Sequence, residues 1–422
     1  MQAINSGRGV RLGHGRQQVL TILVATCTTM GGCASVHRPE SVQAEWVATW
    51  QAPPQLTEPR NLPPAPGLSG TTLRQRFHLT LGGTSVRVRL SNEYGDGALE
   101  VARGFIAPSA GRDAQEASAG AAMLFGGLPS VVVPAGAFVW SDDIALHTND
   151  QADVAVSLYF TRVPAGVTGH PGSRTASYIA AGNHAGDATL TGAVRTEHWY
   201  FASNLEVLRQ TRSAVVAVLG NSIADGRGSG TERNNRWPDN LARRLSASSE
   251  TRDIAVSNAG IGGNAVLRGG LGPTALARFD RDILGQRGVR WVIVSEGVND
   301  IGGARGADSS ASVGHQLIQA YQAFIARAHA RGVRVYGATI LPFGGSQYDS
   351  PEHERARAAV NRWVRESGAF DAVIDLDAAM RDPLRPEALR HELDSGDHLH
   401  PNEPGYVVMA NAIDLHLFST GK

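Results

Sequence analysis

Four short segments carry side chains whose types and spacing suit chemistry. Ser222 stands in Gly220-Asn-Ser-Ile223, followed by Ala224, Asp225 and Gly226. A serine in a glycine-flanked turn is placed for nucleophilic attack; the same serine could equally cap a helix. Asn258-Ala-Gly-Ile-Gly-Gly-Asn264 supplies glycines, which let a backbone N–H approach a ligand with no Cβ in the way; it also reads as a plain loop. Asn299, in Gly297-Val-Asn-Asp300, can aim an amide N–H at a developing oxyanion, although Asn-Asp also favours turns. Asp397-His-Leu-His400-Pro-Asn402 sets a carboxylate three residues before a histidine. Such a carboxylate can hold the imidazole in one tautomer and stabilise its protonated form. His391, Asp394, Asp397, His398 and His400 crowd together, so a metal site is a second reading of that segment, and a solvated polar loop a third.

These segments need elements to hold them. Val215-Val-Ala-Val-Leu219, Trp291-Val-Ile-Val294, Val333-Arg-Val-Tyr336 and Val373-Ile-Asp-Leu376 are short strand-like runs. Leu317, Tyr321, Phe324 and Ala328 recur at helical spacing before Gly332. Buried parallel strands separated by helices make an α/β domain, and ligands of such sheets bind at the carboxyl ends of the strands. Ser222 and Asn299 both lie just past a strand end. Upstream, from about residue 72 to 205, the period is two. Phe77 and Leu79 alternate with Arg76 and His78; Val86, Val88 and Leu90 with Arg87 and Arg89; Val154, Val156, Leu158 and Phe160 with Ala155, Ser157 and Tyr159. This predicts an antiparallel β-sandwich of jelly-roll type, with a tight hairpin at Gly82-Gly83. The expected division is a signal segment over 1–33, a tether and irregular segment over 34–70, the sandwich over 71–205 and the α/β domain over 206–422.

The four segments, in this order and in α/β context, resemble the characteristic blocks of the SGNH hydrolases, also called the GDSL esterase/lipase family. Gly220-Asn-Ser222-Ile matches the nucleophile block, Asn258-Ala-Gly-Ile-Gly-Gly263 the glycine block, Gly297-Val-Asn299-Asp300 the asparagine block, and Asp397-His-Leu-His400-Pro the last block. The resemblance covers about the last half of the chain. It implies a three-layer α/β/α domain with a parallel sheet. It also implies Ser222 as nucleophile, His400 as general base and Asp397 as the acid that orients it. The oxyanion hole would be the N–H groups of Ser222 and Gly263 and the side chain of Asn299. No metal or organic cofactor is implied. Arg236-Trp237-Pro238 also matches a helix start of the family, with Trp237 read as packing. The family usually has Asp where this chain has Asn221.

Bulk properties narrow the function. Lys+Arg and Asp+Glu are each 39, so net charge is zero and nothing favours nucleic acid as a partner. The one lysine is Lys422, which removes lysine-based P-loop or Schiff-base chemistry from the fold. The two cysteines, Cys27 and Cys33, lie near the N-terminus, so the domains hold no cysteine nucleophile or thiolate metal site. Arg8, Arg11 and Arg16, then the apolar run from Val19, then Met30-Gly-Gly-Cys33, read as an export signal ending in a lipobox. The expectation is a lipoprotein lipidated at Cys33, periplasmic or outer-membrane-anchored, with membrane contact only through that lipid. The function read from all this is an exported serine esterase, acting on O-acetyl groups of a carbohydrate. Alternatives are a general short-chain or aryl esterase or lipase, a metal-dependent hydrolase, and a non-catalytic carbohydrate-binding surface protein. Trp140, Tyr159, Trp199 and Tyr200 could stack on sugars, with core packing the commoner role. Asp397 is expected to raise the His400 pKa.

Overall fold

The apolar alternation of the N-terminal region is used twice over. The computed structural model describes residues 43–109, 111 and 115–419; the segment 1–33 with Cys33, and the start of the expected tether, lie outside them. One antiparallel sheet has the order Glu45–Gln51, Ala202–Arg209, Val86–Ser91, Phe138–Trp140. The other runs Val194–Thr196, Ser177–Ala181, Thr71–His78, Asp153–Arg162, Leu99–Pro108, Ala121–Met123, with Val131–Val133 also on Leu99–Pro108. The inward sets, among them Leu73, Phe77, Val88, Val156, Phe160 and Leu205, form one core. Val86, Val88 and Leu90 are fully buried, while Arg87, next along the strand, pairs with Glu206, as the two-residue period requires.

Two expectations about this region change. The segment 34–70 is not a tether throughout. From Glu45 it is a strand paired along Ala202–Arg209, with Val47, Ala48 and Trp50 buried. The Pro- and Gln-rich surroundings hid a short run of apolar, β-forming residues. Nor do Thr71–His78 and Val86–Ser91 form a hairpin, for they belong to different sheets. Gly82 and Gly83 instead sit where backbones press together: a Cβ would lie 2.1 Å from the Thr148 carbonyl oxygen at Gly82 and 2.6 Å from that of Leu208 at Gly83.

A third, small sheet joins Trp199–Tyr200, Thr168–His170 and Gln55–Leu56. It carries sandwich residues to the α/β domain. That domain has five parallel strands in the order Ile254–Gly260, Ala214–Gly220, Val289–Ser295, Arg334–Ala338, Ala372–Ile374. The first of these had no assignment from the sequence. Helix Trp237–Ala247 packs with Glu403–Asn411, and Ala307–His329 with Pro351–Glu366, covering the sheet in an α/β/α sandwich. Trp237 is fully buried, so it packs as expected. The strand order reverses beside Ala214–Gly220, and its carboxyl end is the crevice where open α/β sheets bind ligands. Val215 and Ala255 belong to the same apolar core as the β-sandwich. Hydrogen bonds cross between the parts as well: Ser257 Oγ to Gln51 Oε1 at 2.7 Å and Asn204 Nδ2 to Gln286 Oε1 at 2.8 Å. The described residues fall within one compact unit, and no helix among them is long and apolar enough to cross a membrane.

Candidate active site

Strand Ala214–Gly220 is entirely buried and delivers a single helical turn, Ser222–Asp225, at its carboxyl end. Asn221 has extended backbone and caps that turn: its side chain accepts the Ile223 N–H at 3.0 Å. Gly226, at φ 94°, closes it with an N–H to the Ser222 carbonyl at 2.9 Å. Ser222 is thereby fixed on a buried turn, and its Oγ lies 2.8 Å from His400 Nε2. His400 Nδ1 lies 2.7 Å from Asp397 Oδ2. The other Asp397 oxygen accepts the N–H groups of His400 at 2.9 Å and Leu399 at 3.1 Å.

The electrostatics fit a proton relay. Burial works against Asp397 ionising, yet the hydrogen bonds and charge of His400 outweigh it and take its pKa down to about 2. Asp397 therefore stays ionised near neutrality and accepts from Nδ1, which leaves Nε2 free to accept from Ser222. For His400 the expected rise is reversed. Burial lowers its pKa, and the opposing influence of Asp397 only partly offsets this. This favours the neutral imidazole.

Gly263 and Asn299 line the same cavity as Ser222 and His400. Gly263 has φ 72°, a conformation that favours glycine, and among the described residues its N–H meets no protein acceptor. Asn299 Oδ1 accepts from the Tyr348 hydroxyl at 2.9 Å, and its Nδ2 donates to the Asn264 carbonyl at 2.7 Å. That fixes which way the amide points and leaves one N–H uncommitted. The crowded histidines do not converge: His398 pairs with Asp394 and His400 with Asp397. No group of three or more His, Cys, Asp or Glu among the described residues is arranged to hold a metal.

A model of the GDSL-like lipase/acylhydrolase family matches residues 218–408. The C-terminal part of this chain is an SGNH, or GDSL, hydrolase domain. The matched family is one of lipases and acylhydrolases. No curated protein matches it. Solved structures similar to part of this chain include a GDSL-like lipase from Bacteroides thetaiotaomicron VPI-5482, 17% identical, covering 49% of this chain and 88% of that one, TM-score 0.36. Another is a catalytic mutant of Axe2, an acetylxylan esterase from Geobacillus stearothermophilus, 18% identical, covering 47% of this chain and 91% of that one, TM-score 0.37.

The SGNH domain holds further polar residues that the sequence did not single out. Asp225 is fully buried; its oxygens take His170 Nε2 at 2.9 Å and the Gly262 N–H at 3.1 Å. Burial opposes its charge, but His170 holds its pKa below the usual carboxylate range. His170 Nδ1 meets the Pro53 carbonyl at 3.0 Å. Both ring nitrogens thus face oxygen atoms. Asp225 lies one helical turn after Ser222, a spacing visible in the sequence; His170 comes from the sandwich and had no such signal. Arg278, fully buried, donates to the carbonyls of Gly220 at 2.9 Å and Ala259 at 2.7 Å and to Asn264 Oδ1 at 2.9 Å. It ties together two strand ends and the glycine loop. Glu296, also buried, accepts from Asn221 Nδ2 at 3.2 Å and stands 3.5 Å from Arg278. Burial pushes its pKa up to about 8 despite that guanidinium.

The cavity is about 320 Å³ and is walled by both parts of the chain. The sandwich side gives Gln55, Glu58, Asn61, Arg174 and His198. Trp199 and Tyr200 are buried and packed, with the Tyr200 hydroxyl on the Asn61 carbonyl, so those two aromatics are core.

Proposed function

We propose that Ser222, His400 and Asp397 act as a catalytic triad, and that this esterase removes O-acetyl groups from a carbohydrate. The observation that carries the proposal is the continuous line of hydrogen bonds from Ser222 Oγ through His400 to Asp397, opening into a polar cavity. Ser222 Oγ attacks the ester carbonyl as His400 Nε2 takes its proton. The oxyanion is held by the N–H groups of Ser222 and Gly263 and the free N–H of Asn299. His400 returns the proton to the leaving sugar hydroxyl, giving an acetyl-enzyme. Water attacks next, again deprotonated at Nε2, and acetate leaves as Ser222 recovers its proton.

The lining supports a hydroxyl-rich alcohol and a short acyl group. Apart from glycines and the Tyr348 ring, Pro171, Leu271 and Leu399 are its apolar residues. Most of the other side chains in the lining can hydrogen-bond to hydroxyl groups. We further propose export, with lipidation at Cys33; Cys33→Ser protein recovered in the soluble fraction is the expected result, and firm membrane retention would reject it.

The test is acetate release from acetylated polysaccharides, beside rates on 4-nitrophenyl esters of increasing chain length. Acetate release, and kcat/KM falling by about tenfold or more (about 1.4 kcal/mol or more) from acetate to octanoate, are expected. No acetate from any polysaccharide together with a preference for octanoate would favour a general esterase or lipase. Ser222→Ala should remove activity, with losses on the order of 10⁶ as in a well-studied triad. Retained turnover would reject the serine mechanism.

A further inference from the structure

We propose that Arg174 is a substrate-binding residue that takes an anionic oxygen group, a carboxylate on the alcohol part of the ester. The proposal rests on the serine-esterase reading of this cavity, and names the class of alcohol it selects. On a carbohydrate the group would be the carboxylate of a uronic acid.

Three observations meet at this residue. First, Arg174 lines the cavity that holds Ser222 and His400. Second, its guanidinium has no hydrogen bond or ion pair to protein among the described residues, and its Nε is buried without any partner. Other arginines at the junction between the domains are engaged: Arg278 with Asp282 and Glu296, Arg281 with Asp282, and Arg236 with the Ser173 carbonyl. Buried polar atoms are nearly always paired, so a guanidinium left unpaired beside a nucleophile marks a place for a ligand group. Third, Arg174 is held in a backbone conformation that side chains seldom adopt, at φ 53°. The opposite domain fixes it there. The Glu232 N–H donates to the Arg174 carbonyl at 2.9 Å. The Glu232 carboxylate accepts from the Thr175 hydroxyl at 2.5 Å and from the Ala176 N–H, and Arg236 donates to the carbonyls of Gly172 and Ser173.

Arg174 forms no ion pair with the acids around the cavity, although its charge helps hold Asp225 ionised. Asp225 is taken by His170 and the Gly262 N–H. Asp397 is taken by His400, with Arg227 at 3.6 Å. Glu58 accepts from the neutral amides of Gln55 and Asn61. Arg60, Arg227 and His198 are the other basic side chains facing the space. A substrate carboxylate would meet a guanidinium with no hydrogen-bond or ion-pair partner, whose planar fork suits bidentate binding.

The experiment uses the full chain and two substrate pairs. One pair is 4-acetoxybenzoate and its methyl ester. The other is a mono-O-acetylated methyl glucuronoside and the matching glucoside. The charged member of each pair is expected to have a kcat/KM about tenfold or more above the neutral one, carried mainly by KM, as charge-assisted bonding predicts. Arg174→Asn, whose new side chain tolerates the backbone at this position, should abolish that preference, lowering kcat/KM on the charged member of each pair by about tenfold more than on the neutral one, with the difference carried mainly by KM. Arg174→Gln should do the same, and Arg174→Lys should keep part of the preference. Equal rates on charged and neutral members in the wild type would overturn the proposal. So would an equal loss on both members in the variants, which would make Arg174 a catalytic or structural group. A preference in the aryl pair with neither sugar hydrolysed supports the anion site and rejects the carbohydrate reading. Equal hydrolysis of both sugars rejects the anion site and leaves the deacetylase reading standing.

Discussion

Burial, more than its carboxylate partner, sets the working state of His400, and this gives the pH dependence its sign. The base must be neutral, and burial lowers its pKa from the ordinary value of about 6.5; Asp397 offsets this only in part. The acidic limb of kcat/KM on 4-nitrophenyl acetate is therefore expected to have its midpoint below about 6.5. A midpoint above that would mean the carboxylate dominates. Tyr348 acts on Asn299 without touching the triad, since its hydroxyl bonds Oδ1. Tyr348→Phe should lower kcat by less than the roughly 10²–10³ expected for loss of one oxyanion donor, as in Asn299→Ala, with little change in KM. A Tyr348→Phe enzyme as slow as Asn299→Ala would mean that Tyr348 itself takes part. Asn221 now has a specific neighbour. In Asn221→Asp one oxygen can keep the Ile223 N–H, but the other faces Glu296 at the 3.2 Å now spanned by an amide donor. Two carboxylates at that distance share a proton. Glu296 can supply it, because burial has already raised its pKa to about 8. A raised folded-state pKa favours the protonated group, so that stabilisation is full below the unfolded value of about 4.3 and is lost as pH rises through the folded one. The variant should stay within about tenfold in kcat/KM at pH 7, or 1.4 kcal/mol. Its melting temperature should fall behind the wild type increasingly above pH 8. Equal melting temperatures at pH 6 and pH 9 relative to wild type would count against a shared proton.

At the level of elements, the short helix Ala275–Phe279 matters through one side chain. Arg278 holds carbonyls at the ends of two adjacent strands, and it is the cation paired with the buried Glu296. Arg278→Ala should cost about 3–5 kcal/mol, the usual penalty for breaking a buried pair, read from the urea midpoint. A loss below about 1 kcal/mol, typical of exposed pairs, would mean the acids it faces are neutral. How much of this was legible from the sequence depended on whether the signal was local. Ala214–Gly220 and Val289–Ser295 announced themselves through the continuous apolar runs Val215–Leu219 and Trp291–Val294. Asp397 and His400 lie three residues apart, so their meeting needed no long-range information. Ile254–Gly260 did not stand out, because its apolar Ile254-Ala-Val256 runs directly into Ser257 and Asn258. The pairing of Thr71–His78 was misjudged for a different reason. A period of two establishes that a segment is a strand and which face is buried, but not which strand lies beside it. His170 and Arg174 were out of reach altogether: they meet Asp225 and the cavity only after two domains have closed on each other.

Across the whole molecule, the two parts are expected to unfold together. The sandwich core includes Val215 and Ala255 of the parallel sheet, and Asp225 is satisfied by His170 from the other side. A fragment spanning 206–419 would expose the first and strip the second of its His170 partner. It should lack cooperative unfolding and ester hydrolysis, whereas the full chain should give one calorimetric transition; an active, cooperatively folded fragment would overturn this. The loop after His170 adds a consequence for how such an enzyme can change. Bond cleavage is assigned to side chains of the parallel-sheet domain, while much of the wall that a substrate meets comes from the sandwich, through Gln55, Asn61, Arg174 and His198. Variation in the sandwich can therefore retune which alcohol is accepted while the bond-breaking apparatus is inherited unaltered. The freedom has a boundary at His170 and Gly172. A Cβ at Gly172 would come within 1.9 Å of Asp225 Oδ2, so diversity can enter this loop on the side facing the substrate but not at the seam where the two lineages of residues are joined.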